Sequence, residues 1–521
     1  MNKLDYLANM RKYIYIYTII VLLIGICLRV YEFGVTPSGL NQDEAFAGYE
    51  AFSLLNYGID SAGYRNPTYF VSWGSGMNVL ESYLAIPFVW LFGNTTIAIR
   101  MPMLICSILS LPVFYLLVKE FYGRRAALFA MGLLAVCPWH VMLSRWGLES
   151  NLAPAFLMFG FYFLVKGLNN NRYWPFAALM YGVSLYSYAI TWIVVPLTLL
   201  GIFLFLLLAK YEFSLKYLFI SIGILFFLAL PHMLFLLINM NVIPEIRTAL
   251  FSIPKLVAMR GSEVSLNNAL SVDNLVRVFR LVIGHGDDMR WNTFKGFNMY
   301  YSVSIPFLVV GFVKMLRTGL QQIKKHEINA ESFLLIGILC SLFVILLIAP
   351  INVNKANHIH LYMIILITLG LREIIHFLRK KPTFIALIIV LYAFSAWNFA
   401  ASYFGTYNEV ISADFRDGVR ECIEYVNEKG FERINVDDSV YYPQVLYFDR
   451  TPTPEYIDTR VYTNYPSAFL NIESFTKYTF GVVYESIGDY DAYIVPSWNI
   501  SEFSEGRFNV ETFGNYSVVY A

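Results

Sequence analysis

Roughly eleven stretches of this chain are apolar over close to the length that a bilayer's hydrocarbon core demands of a helix, about 20 residues. They fall near 13–30, 97–118, 126–143, 152–168, 173–192, 194–209, 215–238, 301–317, 332–350, 359–378 and 383–402. Only 14% of the 521 residues are charged, against about a quarter in soluble domains. The fold class expected is an α-helical polytopic membrane protein. The net charge of +1 gives no reason to expect a nucleic-acid partner. The first apolar run has no small-residue cleavage site after it, so a retained helix is expected.

A further apolar stretch, Leu80 to Phe92, is shorter and carries Pro87. At that length an interfacial or re-entrant helix is expected rather than a crossing. Charge decides the same way. With 80–92 not crossing and the N-terminus cytoplasmic, the inner loops collect Lys3, Arg11, Lys12, Lys119, Arg124, Arg125, Lys166, Arg172, Lys210, Lys216, Lys324, Lys325, Arg379, Lys380 and Lys381. The short outer turns keep chiefly Arg145 and Lys355, as the positive-inside bias requires. Residues 31–96, 239–300 and the tail from about 403 to 521 then face outward together, with short outer turns at Ser144–Asn151 and Ile351–His358.

The tail, 403–521, reads as a small extracytoplasmic α/β domain attached to a membrane domain of 1–402. Phe415, Val419, Cys422 and Val426 recur at helical spacing, while Arg433–Val440, Asp491–Pro496 and Asn509–Tyr520 read as strands. Four of the five cysteines lie in apolar spans and Cys422 in the tail, so neither a disulfide framework nor a thiolate metal site is expected.

Three outward segments carry residues fit for chemistry. Asn41-Gln42-Asp43-Glu44 follows the first span; a carboxylate beside low-dielectric material can have its pKa raised towards that of a general base. Taken alone, the pair also reads as solvated loop acids. Glu149 stands in a short turn on the same side, where it can hold a metal with Asp43, orient an acceptor, or simply pair with Arg145. Lys355, His358 and His360 lie at headgroup depth, where cations can stabilise a phosphate leaving group or merely anchor the turn. Arg100 can snorkel or bind phosphate. Tyr64, Arg65 and Trp73 are expected to shape a pocket in the first loop.

The order of these parts resembles a known family. Asp43-Glu44 is followed by a Gly-x-Asp-Ser-x-Gly-Tyr-x-Asn-Pro stretch at Gly58–Pro67. Next come Leu91-Phe92-Gly93, Arg100-Met101-Pro102, Tyr122-Gly123-Arg124-Arg125 and Ser144-Arg145 with Glu149. Over roughly 13–400 the chain resembles the GT-C membrane glycosyltransferases, specifically bacterial relatives of protein O-mannosyltransferases and of aminoarabinose transferases acting on lipid A. The resemblance implies transfer of a sugar from a polyprenyl-phosphate donor lipid to an acceptor protein, lipid or glycan on the outer face of the plasma membrane. Asp43 matches the first-loop acid, with Glu44 beside it. Glu149 matches the second-turn acid, commonly Asp in relatives. The 355–360 turn matches the carrier-phosphate position, with Arg100 and Arg145 as further phosphate ligands and Asp60, Tyr64, Arg65 and Trp73 as pocket residues. Relatives differ in metal dependence, so no cofactor is assumed; Asp43 and Glu149 are the expected ligands where a divalent cation is used. The rival expectation is a transporter or flippase, which the scarcity of ionisable residues inside the spans disfavours. A third, a membrane scaffold with a protein-binding tail, leaves Asp43 and Glu149 without a shared purpose.

Overall fold

The structure is a computed structural model. It describes the chain except residues 1–2, 259–262, 286–288, 295, 379–380, 485–486 and 504–506, with backbone only for 3–12. The expected inner charges at Lys3, Arg11, Lys12, Arg379 and Lys380 lie outside the described side chains.

Six helices build the N-terminal third: α1 (Lys3–Val30), α2 (Gln42–Tyr57), α3 (Leu80–Phe92), α4 (Thr96–Ala135), α5 (Pro138–Leu143) and α6 (Glu149–Asn169). Among the described residues, eight helices are long and apolar enough to cross a membrane. The 40-residue α4 is two helices meeting at Gly123, whose φ of 80° and ψ of 175° break it, so it covers the two spans expected over 97–143. The span expected at 332–350 is a 17-residue apolar helix, Ala330–Leu346. The one expected at 173–192 is shorter still: the helix Trp174–Ser184 gives way to irregular turns before Thr191.

Helix α3 takes the expected place beside the bundle. It buries Glu81, Ser82, Ala85 and Val89, and leaves Trp90, Leu91 and Phe92 exposed at its far end. Such an exposed aromatic and apolar end suits a bilayer boundary.

The second long loop holds structure that its sequence did not announce. A two-strand ribbon, β1 (Ile246–Arg247) with β2 (Ser252–Ile253), pairs onward with Pro67 of the first loop. A strongly amphipathic helix, Val272–Val282, is pinned to the end of Ala330–Leu346 by Asn274 Nδ2 donating to the Leu346 carbonyl.

The tail forms a seven-stranded mixed sheet. Its strands are β3 (Ile434–Val436), β4 (Val461–Tyr462), β5 (Ile472–Phe475), β6 (Tyr478–Phe480), β7 (Ala492–Pro496), β8 (Asn509–Phe513) and β9 (Tyr516–Tyr520), in the order β4-β5-β6-β3-β7-β9-β8. The central β3 runs parallel to both β6 and β7, and its three residues are all buried. The single strand expected at 509–520 is a hairpin, because Gly514 at φ 55° turns the chain back on itself. The expected amphipathic helix is Val419–Lys429; Phe415 precedes it, fully buried.

This sheet domain is not tethered at a distance. Gln444 Nε2 donates to the Leu40 carbonyl at 2.6 Å, and the Tyr49 hydroxyl donates to the Thr451 carbonyl at 2.9 Å. Thr453 donates to Ser53. A Cβ at Gly48 would fall 2.6 Å from the Tyr447 ring. Helix α2 is therefore clasped between the membrane bundle and the tail.

Candidate active site

The sequence Asn41-Gln42-Asp43-Glu44 starts α2 by a reciprocal cap. The Asn41 side chain accepts from the Asp43 amide at 3.0 Å, and Glu44 Oε2 accepts from the Asn41 amide at 3.0 Å. Two acids in the first turn also suit the positive end of the helix dipole.

The cap separates the two acids. Glu44 is completely buried and saturated: it receives Arg100 Nε at 2.7 Å, Arg100 Nη2 at 3.0 Å and the Gly147 amide at 2.6 Å. Asp43 is half-buried, and its Oδ1 accepts from Trp73 Nε1 at 3.2 Å. The buried acid fixes the helix start; the accessible one faces the loops.

Glu149 is also half-buried and accepts from both the backbone amide and the side-chain amide of Asn78. Three residues further on lies Glu81, which the sequence reading passed over. It is 1% exposed, and neither carboxyl oxygen has a hydrogen-bond partner. Burial first, then the charges of Glu44, Glu149 and Asp43, push its pKa well above the ordinary carboxylate range. Glu81 is thus the point on which the fields of Asp43, Glu44 and Glu149 converge, and its protonated form is favoured. An acid is almost never fully buried without a partner, and nothing in the local sequence marks this one as an exception. Gly147 is required beneath it, because a Cβ there would collide with Glu81 Oε1 and press on Glu44 Cγ.

The 351–360 turn reaches the same region through amides, not through its cations. Asn357 receives Trp139 Nε1 at 2.9 Å and donates to Asn151 Oδ1 at 3.3 Å, two residues from Glu149. His358 and His360 point into the protein interior, 4% and 0% exposed, and His360 Nδ1 meets the Tyr300 hydroxyl. The His360 ring packs against Trp139 at 5.1 Å, centroid to centroid, and both histidines are buried, so neither is presented at the surface as expected. Lys355 is partly exposed and pairs with Glu263 at 2.9 Å.

The two arginines expected to bind phosphate are committed to protein groups. Arg100 also donates to the Pro37 and Gly39 carbonyls. Arg145 is fully buried; instead of pairing with Glu149 it donates to the carbonyls of Leu28, Arg29, Glu32 and Thr36. These are the end of α1 and the turn after it, where unsatisfied carbonyls gather.

Of the expected pocket residues, Trp73 alone touches the acids. Asp60 Oδ1 accepts from the amides of Ala62 and Tyr64 and so makes a turn; burial pushes its carboxyl up to about 7. The Tyr64 hydroxyl donates to Glu245, and Arg65 is exposed, bridged to Ile59. Of these three, Tyr64 ties the first loop to the second.

Beside the 351–360 turn lies a polar cavity of about 640 Å³, walled by Asp273, Arg277, Arg280, His285, Met289 and Asn352. Among the described residues, no group of three His, Cys, Asp or Glu side chains converges to hold a metal ion.

Residues 79–235 match the family described as dolichyl-phosphate-mannose-protein mannosyltransferase. In structure the chain is similar to ArnT from Cupriavidus metallidurans in the apo state, with TM-score 0.57 at 10% identity over 98% of both chains. The same protein bound to undecaprenyl phosphate gives TM-score 0.54 at 10% identity, again over 98% of both chains. The Archaeoglobus fulgidus oligosaccharyltransferase in complex with Zn and sulfate gives TM-score 0.50 at 14% identity, over 83% of this chain. The chain spans 61% of that longer protein. No curated protein matches the chain in sequence. The fold is that of the GT-C membrane glycosyltransferases. The family match over residues 79–235 and the fold likeness do not favour the transporter reading.

Proposed function

We propose that this GT-C-fold membrane protein moves a sugar from a polyprenyl-phosphate carrier to an acceptor hydroxyl at the face where its three long loop regions meet. The observation that carries the reading is the division of labour in Asp43-Glu44: one acid saturated and buried, its neighbour half-buried beside two further carboxyl groups. The undecaprenyl phosphate bound to ArnT supports the carrier class, and the positive-inside bias supports an outward orientation of the loop face.

In the proposed step, the acceptor oxygen attacks the anomeric carbon while its proton passes to Asp43. The C–O bond to phosphate breaks and the electron pair leaves with the polyprenyl phosphate, giving inversion. Arg277 and Arg280, which line the polar cavity, with Lys355 of the adjoining turn, are the cations proposed to meet the departing phosphate. Holding both substrates at one bilayer depth supplies the positional gain. No step is routed through a divalent cation.

The test is transfer of labelled sugar from a polyprenyl-phosphate donor by the full chain in nanodiscs. Asp43→Asn is expected to lower kcat by about a hundredfold or more with an unchanged melting temperature. A folded Asp43→Asn protein with full activity refutes the assignment.

A further inference from the structure

Asp43 is flanked by an aromatic group assembled from two distant parts of the chain. Trp73, whose indole N–H donates to Asp43, lies 5.6 Å from the Tyr441 ring and 6.0 Å from the Phe469 ring, centroid to centroid. Both partners belong to the tail. Their placement is built in, not incidental: the Leu470 amide donates to the Trp73 carbonyl at 2.7 Å, and Gly74 and Phe469 form an antiparallel bridge. Tyr441 is fixed by Gln444, which accepts from its amide and donates to Leu40, one residue before the α2 cap. Arg416 lies 4.8 Å over the Tyr441 ring.

Three large rings held this firmly would ordinarily be buried by a fold able to do so. Instead Trp73 and Tyr441 remain half-exposed and Phe469 is 45% exposed, next to an accessible carboxylate. Flat apolar faces beside a hydrogen-bond acceptor match one ligand chemistry well. A pyranose presents C–H groups on its ring face, which pack on aromatic carbon by dispersion, and hydroxyls at its edge, which donate to carboxylate.

We propose that Trp73, Tyr441 and Phe469 form the acceptor subsite, that its occupant is a sugar ring of a glycan acceptor, and that the tail domain thereby selects what is glycosylated. This rests on the glycosyl-transfer reading and adds the acceptor class to it.

The experiment uses the full chain in nanodiscs and saturation-transfer NMR with two probe sets, soluble oligosaccharides and Ser/Thr-containing peptides. Oligosaccharide binding is expected in the wild type. It should weaken about tenfold in Tyr441→Ala and in Phe469→Ala, and be retained in Tyr441→Phe, since the ring face and not the hydroxyl makes the contact. Because Phe469 is exposed, its alanine variant is expected to melt with the wild type and keeps the test informative if Tyr441→Ala unfolds. The proposal is overturned if no oligosaccharide binds, if Phe469→Ala binds like wild type, or if peptides bind in place of glycans. Release of polyprenyl phosphate from the labelled donor, measured separately, reports on the transfer reading itself, so the two fail independently.

Discussion

Glu44 and Arg100 meet at 2.7 Å with no side-chain surface exposed on either. Removing one member leaves a buried charge without its counter-ion, which costs about 3–5 kcal/mol. Arg100→Leu is therefore expected to lower thermal stability sharply, measured by the melting temperature of the detergent-purified protein. Asp43→Asn, one residue away from the pair, should not.

Gly147→Ala forces a methyl group into the space of Glu81 Oε1 and Glu44 Cγ. Overpacking of this kind costs about 1–3 kcal/mol, and here it also displaces the acids that flank Asp43. Transfer activity is expected to fall further than stability does, by comparison of kcat with the melting temperature of the same preparation.

Glu81→Gln isolates a titration. Burial holds the Glu81 carboxyl well above its unfolded value of 4.5, so the folded state prefers the protonated form. The contribution of Glu81 to stability is accordingly fullest below about pH 4.5, and is lost as pH rises towards the folded pKa. A glutamine does not ionise. The variant's melting temperature should exceed that of the wild type by a margin that widens with pH, and a scan from pH 4 to 9 checks this.

Arg277 and Arg280 line the polar cavity beside the 351–360 turn. If they meet the carrier phosphate, replacing each by Gln should raise the donor KM roughly tenfold. The acceptor KM and the melting temperature are expected to hold. An unchanged donor KM removes both arginines from the phosphate site.

The membrane architecture was legible because a span must be apolar over its whole length, so each left its own local mark. Asp43 was legible as one of two adjacent carboxylates just beyond a span, and by its place in the order of motifs. Glu81 was not, since nothing local distinguishes a buried acid from one at a helix end in water. The histidines show the converse. His358 and His360 were read by their position next to a span, but their rings turn inward to Tyr300 and Trp139. The tail's central strand β3 lies inside the stretch 433–440 read as a strand. The strands β4, β5 and β6 on one side of it, of two to four residues, are defined by pairing across the sheet and leave no periodic pattern of their own.

The clasp on α2 changes what the tail can be. A helix and its cap gripped at Leu40, Tyr49 and Ser53 by residues about four hundred positions away are completed only after the segment that holds Gln444, Thr451 and Thr453 has been synthesised and has packed against them. Synthesis order therefore acts as a safeguard: a nascent chain has all its spans in place before the carboxylate at the start of that helix is held where it can act on a substrate.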